Sequence, residues 1–190
     1  MTVFLLPFLA LFTTSAAAGT SAQINVKAAG SAKLVDKIDL GVFANAMLLP
    51  GTTAYYCAYA GPGFQLTPWW WTSPRGGVIL NWPSTGQASP IASLWNYVTF
   101  YGGDLSLFLE TEVYARPGGG VDYFGFYQLD YHFKALSLGL LGEQLNTGVT
   151  AGPVVTYAFN EHLSSGVEYH FNPVDLANQT IRFNLSLKFN

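Results

Sequence analysis

The stretch that decides the fold is the C-terminal segment IRFNLSLKF, residues 181–189. Its odd-numbered positions are apolar, and its even-numbered positions are polar or charged. One face therefore contains Ile181, Phe183, Leu185, Leu187 and Phe189, and the other contains Arg182, Asn184, Ser186 and Lys188. Strict alternation of this length predicts a β-strand with one apolar and one polar face.

Five segments between residues 104 and 172 alternate in the same way, and residues that favour turns separate them. Their lengths match the about 9–11 residues of a transmembrane β-strand. We predict eight strands, at about 75–82, 92–101, 104–115, 121–132, 134–144, 148–159, 163–172 and 180–189. Two weaker candidates lie at 38–48 and 53–66, the second interrupted by Gly61, Pro62 and Gly63. We expect an even number of strands, with eight favoured over ten.

The composition indicates the environment in which a sheet of these strands would be stable. Half of the 190 residues are apolar and only 10% are charged, whereas soluble domains contain about 25% charged residues. After the N-terminus, no apolar run reaches the about 18 residues that a membrane helix needs. A closed antiparallel up-and-down barrel pairs every backbone N–H and C=O in lipid. The sequence therefore predicts an all-β transmembrane barrel.

Alternation alone does not reveal which face points outward, because a soluble lipocalin-like barrel has the same period with its apolar face inside. The polar faces contain mainly small residues and too few charges for a soluble exterior. We therefore predict that the apolar face contacts lipid. Aromatic residues near the strand ends are then expected at the membrane interface: Trp69, Trp70, Trp71, Trp95 and Phe189.

The N-terminus has the pattern of a secretory signal peptide. The apolar run VFLLPFLALF at 3–12 precedes small and polar residues, although no Lys or Arg comes before it. We predict a signal peptide over 1–22 with cleavage after Ala22, or alternatively after Ala18. Residues 23–190 are expected to form a single barrel domain.

Several classes of function are disfavoured by residue usage. The eight basic residues are scattered, so the sequence predicts no nucleic-acid partner. Cys57 is the single cysteine, which excludes an internal disulfide and a multi-cysteine metal site. The glycines at 76–77 and 118–120 do not open a helix after a strand, so they are not phosphate-binding loops. We expect no metal and no cofactor.

Connection lengths predict a topology. Barrels of the bacterial outer membrane keep both chain ends and their short turns in the periplasm, with longer loops outside. We assign 101–103, 132–134 and 160–162 to periplasmic turns. The segments at 82–90, 116–120, 144–148 and 172–179 are then the outer loops.

The segment RFNLSLKF, residues 182–189, resembles the C-terminal targeting signal of bacterial outer-membrane proteins, which ends in alternating hydrophobic residues and a terminal aromatic residue. Asn190 after the aromatic residue departs from that pattern, and no glycine lies upstream within the segment. The resemblance implies a Gram-negative outer-membrane location, contact with outer-membrane lipid and recognition by the barrel-assembly machinery. It concerns architecture and location only.

The inward faces contain the ionisable residues that are candidates for function. Because strand eight neighbours strand seven, we expect Glu168 and His170 to lie near Arg182. The alternatives are a polar pore lining, a buried catalytic cluster, or a packed network that fills a narrow barrel, and we favour the last. This predicted polar network contains Glu110, Glu112, Asp130, His132, Glu168, His170, Arg182 and Lys188, with Asp122 and Glu143 on the same faces.

His162 and Ser164 resemble the His-x-Ser pair of outer-membrane lipid A deacylases. That resemblance implies Ser164 as nucleophile, His162 as base and Glu168 as the residue that orients the base. The Asn that follows the Ser in that family is Ser165 here, and His162 lies in a predicted turn, so a turn histidine is the favoured interpretation. A metal site formed by Glu161, His162 and His170 is also disfavoured, because the spacing matches no common pattern.

Three functional hypotheses follow. The first is a non-enzymatic outer-membrane barrel with a structural, interaction or small-solute-passage role. The second is a lipid-modifying outer-membrane hydrolase that uses His162 and Ser164 or the carboxylates of the lumen. The third is a soluble lipocalin-like carrier of the periplasm.

Overall fold

A computed structural model describes residues 20–48, 54–80, 86–174 and 179–189. Within these residues the chain forms eleven β-strands and one short 3₁₀ turn, Tyr101–Gly103. No helix in these ranges is long and apolar enough to cross a membrane. The strands are β1 (Thr20–Val35), β2 (Ile38–Leu48), β3 (Tyr55–Thr67), β4 (Trp70–Leu80), β5 (Ala88–Phe100), β6 (Leu105–Ala115), β7 (Val121–Phe133), β8 (Leu136–Leu145), β9 (Gly148–Ala158), β10 (Leu163–Phe171) and β11 (Gln179–Phe189).

The strands form one closed barrel in which strands adjacent in sequence are also adjacent in the sheet. All of these sequential pairs are antiparallel. The barrel is closed by β1 and β11, which pair in parallel from Thr20↔Gln179 to Gly30↔Phe189. Parallel closure follows from the odd number of strands, because strands that reverse direction at each turn leave the first and the eleventh pointing the same way.

The predicted all-β up-and-down barrel is confirmed, but the predicted count of eight strands, with ten as the alternative, is wrong. The eight predicted strands correspond to β4–β11, and the two weaker candidates correspond to β2 and β3. The additional strand is β1. Its sequence, TSAQINVKAAGSAKLV, is rich in Ala, Ser and Lys, and its first residues overlap the predicted signal peptide. The alternation of apolar and polar residues is therefore weak in β1, and for this reason the sequence did not predict this strand.

Residues 1–19, which contain most of the predicted signal peptide, lie outside the described residues. Residues 20–22 already belong to β1 and pair with residues 179–181 of β11. The hydroxyl oxygens of Ser21 and Thr180 lie 2.7 Å apart in this pair. The signal peptide stays a prediction, and of the two cleavage positions only the one after Ala18 would retain this pairing.

The outward faces of the strands are apolar. Val42, Val155 and Leu140 are 51%, 44% and 64% exposed although all three lie within strands, whereas Ser106 and Glu168 are each only 2% exposed. The predicted apolar exterior is confirmed for the described strands, but the lumen is only partly polar, because Ile79, Ile91 and Leu141 are also buried inside it. A lipocalin-like soluble barrel would instead need a polar exterior.

The two ends of the barrel differ in their connections. Five short connections, at 36–37, 68–69, 101–104, 134–135 and 159–162, lie at one end, which we call the turn rim. Strands β2, β4, β6, β8 and β10 end at the opposite end, which we call the loop rim. The predicted short turns lie at or beside the turn rim, and the predicted loops at 116–120 and 144–148 lie at the loop rim. Residues 82–85 and 175–178 of the other two predicted loops lie outside the described residues.

The expectation that both chain ends lie on one side is wrong for the described chain. Strand β1 begins at the loop rim with Thr20, whereas β11 ends at the turn rim with Phe189. The reason is the odd number of strands. An even number would return the last strand to the rim at which the first strand began.

The predicted interface aromatics divide into two groups. Trp69, Trp70 and Phe189 are exposed at the turn rim, and the rings of the two tryptophans stack with centroids 6.3 Å apart. Trp95 and Trp71, in contrast, point inward, which corrects their predicted interface position. Trp95 is only 8% exposed, and the Trp71 indole N–H donates to Asp39 Oδ2 at 3.0 Å. Their places in the alternation of β4 and β5 face the lumen, which an eleven-strand barrel makes wide enough for indole rings.

Two adjacent glycines of β4 test how closely neighbouring strands approach. A Cβ added at Gly77 would overlap the carbonyl oxygen of Ala58 on β3, whereas one added at Gly76 would meet nothing within 4 Å. We expect Gly77→Ala to lower the free energy of unfolding by about 1–3 kcal/mol, because the strands must shift apart. Gly76→Ala, the matched control, should change it by less than about 1 kcal/mol. Urea unfolding in detergent, followed by tryptophan fluorescence, measures both, and equal stability of the two variants would contradict the close approach.

Candidate functional site

The barrel encloses a cavity of about 560 Å³, within the roughly 300–1,000 Å³ typical of small-molecule sites. We call this cavity the cup. Leu145 and Gly148, which line it, lie at the loop-rim ends of their strands, and Asn172 directly follows β10 at the same rim. Trp95 and Phe108 lie nearer the middle of their strands. The cup therefore occupies the half of the lumen nearer the loop rim.

An aromatic layer lies at the inner end of the cup. Ring centroids of Phe43 and Trp95 lie 5.0 Å apart, those of Trp95 and Phe108 5.3 Å, and those of Phe108 and Phe126 6.0 Å. The Trp95 contacts are edge-to-face, a favoured geometry for aromatic pairs. Tyr59 completes the layer, with its ring centroid 5.7 Å from that of Phe43 and 6.0 Å from that of Trp95. These side chains come from β2, β3, β5, β6 and β7, so the layer extends across much of the lumen.

Arg75 packs against the aromatic layer. Its guanidinium carbon lies 3.9 Å from the Trp95 ring centroid, and its Nε donates to Ser73 Oγ at 3.1 Å. A Cβ added at Gly41 would lie 2.7 Å from Arg75 Nη2, so the absence of a side chain there provides space for the guanidinium. Arg75 does not line the cup. It fills the lumen beside the layer, and this stacked cation also stabilises the layer.

One wall of the cup contains a buried ionic network centred on Arg182. Arg182 donates from Nη1 to Glu143 Oε1 at 2.5 Å, from Nη2 to Glu143 Oε2 at 3.1 Å and from Nη1 to Glu168 Oε2 at 3.0 Å. Its Nε donates to Gln23 at 3.0 Å. Bidentate pairing of this kind is among the stronger side-chain interactions. We call the group the Arg182 network: Arg182, Glu143, Glu168, His170, Gln23 and Lys27.

Glu168 is the most connected carboxylate of the Arg182 network. His170 Nε2 lies 3.0 Å from Glu168 Oε2, and Lys27 Nζ lies 3.8 Å from Glu168 Oε1. Glu168 and Arg182 are also directly opposite each other in the β10–β11 register. The expectation that Glu168 and His170 lie near Arg182 is therefore confirmed.

Three members of this network have the composition of a metal site. Ligand atoms of Glu143, Glu168 and His170 lie within 4.8 Å of one another. Both carboxylates, however, already bind the guanidinium of Arg182. This cation compensates their charge at the position where a metal ion would otherwise be needed, so the arrangement is that of a packed ion-pair network.

The facing wall contains two carboxylates on β6, Glu110 and Glu112. Strand β6 is five strands away from both β1 and β11 in the ring, which places it across the lumen from the Arg182 network. Glu112 is 3% exposed, and its Oε2 accepts a hydrogen bond from the Tyr114 hydroxyl at 2.5 Å. Among the described residues, no Lys or Arg nitrogen lies within 4.0 Å of either carboxylate. The acidic pair therefore forms no direct ion pair in this part of the chain, although Lys27 and Arg75 interact with Glu110 electrostatically at longer range.

The remaining members of the predicted polar network lie apart from the cup. Asp130 accepts a hydrogen bond from Gln128 at 2.7 Å. The ring nitrogens of His132 lie 2.8 Å from the hydroxyls of Ser106 and Ser137. Lys188 is exposed at the turn rim. The structure thus divides the predicted network into two walls of the cup and separate small clusters nearer the turn rim.

The candidate catalytic residues do not form a triad. His162 is exposed in the 159–162 turn, and its ring contacts the Lys188 carbonyl at 3.1 Å and Glu161 at 3.4 Å. Glu168 is held by Arg182 and His170, and it lies four strand positions from Ser164, roughly 13 Å along β10. In the structure, His162 and Glu168 therefore belong to opposite halves of the barrel. The same separation keeps Glu161 and His162 away from His170.

Several cup residues were not predicted from the sequence as site residues: Gln23, Asn25, Lys27, Phe43, Tyr59 and Phe108. Half of them lie on β1, the strand that alternation does not reveal. The three aromatic residues could have been found from the sequence, because Phe43, Tyr59 and Phe108 occupy the inward positions in the alternation of their strands. A large aromatic residue on a polar face indicates packing within the lumen.

Comparison with known proteins does not assign a family. No protein-family model matches the sequence, and no match is found among curated proteins or among solved structures.

The Arg182 network provides a test of lumen packing. Arg182→Met should lower the free energy of unfolding by about 3–5 kcal/mol, because Glu143 and Glu168 are left buried without their cation. Lys33→Met is the control, since the Lys33–Asp36 pair is largely exposed and exposed pairs contribute at most about 1 kcal/mol. Urea unfolding in detergent provides both values. If Arg182→Met were as stable as the control variant, the network would not hold the lumen together.

Proposed function

We propose that this chain is a non-enzymatic outer-membrane β-barrel whose lumen forms a solute-binding cup. The main support is the distribution of polarity over a closed sheet. The outward faces are apolar along the strands, and the charged residues of the Arg182 network point inward. An exterior of this kind is unstable in water and matches the hydrocarbon region of a bilayer.

The aromatic side chains at the turn rim support a membrane interface at that level. These exposed residues come from seven strands or turns around the rim: Trp69, Trp70, Phe100, Tyr101, Phe133, Phe159 and Phe189. Aromatic girdles at both interfaces are typical of outer-membrane barrels. The C-terminal resemblance to an outer-membrane targeting signal adds independent support for the same location.

Binding is favoured over free passage because the lumen is obstructed near its middle. The aromatic layer extends from β2 to β7, and Arg75 fills space beside it. The Arg182 network occupies the other side of the lumen. A solute that enters from the loop rim would therefore meet packed side chains at the inner end of the cup.

The two other functional hypotheses receive less support. A lipid-modifying hydrolase would need His162, Ser164 and Glu168 close together, and Glu168 is instead bound by Arg182 and His170. A soluble lipocalin-like carrier would need a polar exterior, whereas the outward faces of the described strands are apolar.

A lysine placed on the outward face tests membrane insertion. Leu140 lies near the middle of β8, and Leu140→Lys should destabilise the inserted barrel by about 2–4 kcal/mol. Val121 is the first residue of β7 at the loop rim, and Val121→Lys should cost only about 0–1 kcal/mol. We expect the wild type and Val121→Lys to fractionate with outer membranes and to migrate faster on unboiled gels, and Leu140→Lys to do so much less. Recovery of all three as folded monomers in detergent-free buffer would overturn the proposal.

Current measurements in planar bilayers test the obstruction. The wild type should show no current steps, because the aromatic layer and Arg75 fill the lumen. A variant with both Trp95→Ala and Arg75→Ala should show steps, since it removes an indole ring and a guanidinium from that level. Trp70→Ala is the matched control, because Trp70 is outside the barrel. Current steps recorded from the wild type would instead indicate an open pore.

A further inference from the structure

The two walls of the cup differ in charge compensation. The Arg182 network contains two cations, Arg182 and Lys27, and both lie within 4.0 Å of its carboxylates. Its two cations and two carboxylates match in number. Glu110 and Glu112 are the carboxyl groups of the cup that form no ion pair within the described residues.

Several buried polar atoms in the wall of the cup lack a hydrogen-bond partner within the described part of the chain. Three of them are acceptors: Glu112 Oε1, Asn25 Oδ1 and Asn45 Oδ1. Glu112 and Asn25 are both more than nine-tenths buried. Only one such atom of the cup is a donor, Trp95 Nε1. These acceptors lie on both sides of the cup, Asn25 on β1 and Glu112 on β6. An unpaired buried acceptor is costly, so a ligand that fills the cup is expected to bring N–H donors.

Aromatic rings lie beside the acidic pair. Tyr114, which donates to Glu112, stacks on Phe124 with ring centroids 6.5 Å apart. Phe108 precedes Glu110 by two positions on the same inward face of β6, and it belongs to the aromatic layer. The negative faces of aromatic rings attract organic cations, and they also pack against apolar groups.

We propose that the cup binds a small organic amine. Its ammonium group contacts Glu110 and Glu112, and its apolar body packs on the aromatic layer. This inference rests on the proposed function, because it assigns the chemical class of the solute that the cup holds.

The same observations disfavour an anion and a hard metal ion. An anion would need a free cation in the wall of the cup. Arg182 and Lys27 are already paired with carboxylates, and Arg75 does not line the cup. A Ca²⁺ ion takes 6–8 oxygen ligands, whereas the surroundings of the acidic pair are largely aromatic. An ammonium group needs only a few acceptors, and it tolerates aromatic neighbours.

Three probes of similar shape separate charge from apolar packing. They are 2-phenylethylamine, 2-phenylethanol and 3-phenylpropionate, which are a cation, a neutral molecule and an anion at pH 7. Isothermal titration calorimetry would use the mature chain purified from outer membranes in dodecyl maltoside. We expect the amine to bind at least about tenfold more tightly than either other probe, because hydrogen bonds to charged groups are the stronger ones.

Substitution of the acidic pair tests the site itself. Glu112→Gln, and the double variant Glu110→Gln with Glu112→Gln, should weaken amine binding by roughly 10- to 100-fold. Glu161→Gln is the matched control, because Glu161 is exposed at the turn rim, away from the cup. This variant should bind the amine like the wild type. The urea midpoint of each variant shows whether it is folded. The comparison of the three probes on the wild type does not depend on any variant.

The outcomes separate this inference from the proposed function. Equal binding of the three probes to an outer-membrane barrel, or unchanged amine binding by the folded double variant, would overturn the ligand class alone. A chain that does not fractionate with outer membranes would overturn the proposed function, whichever probe it binds.

Discussion

The structure depends on the closure of the sheet by the parallel pair of β1 and β11. An open sheet with an apolar exterior would expose unpaired N–H and C=O groups at both edges, and such groups are costly away from water. Closure removes both edges. Because the number of strands in the ring is odd, the closing pair is parallel, and Thr20 and Phe189 lie at opposite rims. The width of the lumen follows from the same closure, because barrel diameter grows with the number of strands.

A lumen of this width cannot be filled by small side chains alone. On one side it holds aromatic rings that pack edge-to-face with Arg75 stacked on Trp95. On the other side it holds carboxylates paired with Arg182. The aromatic rings with Arg75, and the carboxylates with Arg182, fill the middle of the lumen. Both groups leave the space near the loop rim unfilled. The cup is the part of the lumen that these side chains leave open. Glu110 and Glu112, which form no ion pair in the described part of the chain, give it an acidic wall.

Much of the fold could be predicted from alternation. The segments that became β2 to β11 alternate or nearly alternate, so their existence, their faces and the rim at which they turn could be inferred. Strand β1 could not, because its Ala, Gly and Lys residues produce little contrast between faces. The site was predicted in part: Glu168, His170 and Arg182 lie on adjacent strands, so register alone indicates their contact. Glu143 joins them from β8, two strands away from β10, and no local pattern reveals that approach.

The sequence by itself determined the local properties: the approximate positions of β2 to β11, the alternation of two faces along them, and an apolar exterior with few charges. These depend on a period of two residues, which is a property of each strand alone. Only the tertiary structure decided the number of strands in the ring, the parallel closing pair, the inward position of Trp71 and Trp95, and the division of the ionisable residues into a paired and an unpaired wall. The physical reason is that these four features depend on contacts between strands far apart in the sequence, and such contacts form only when β1 pairs with β11 and the barrel closes.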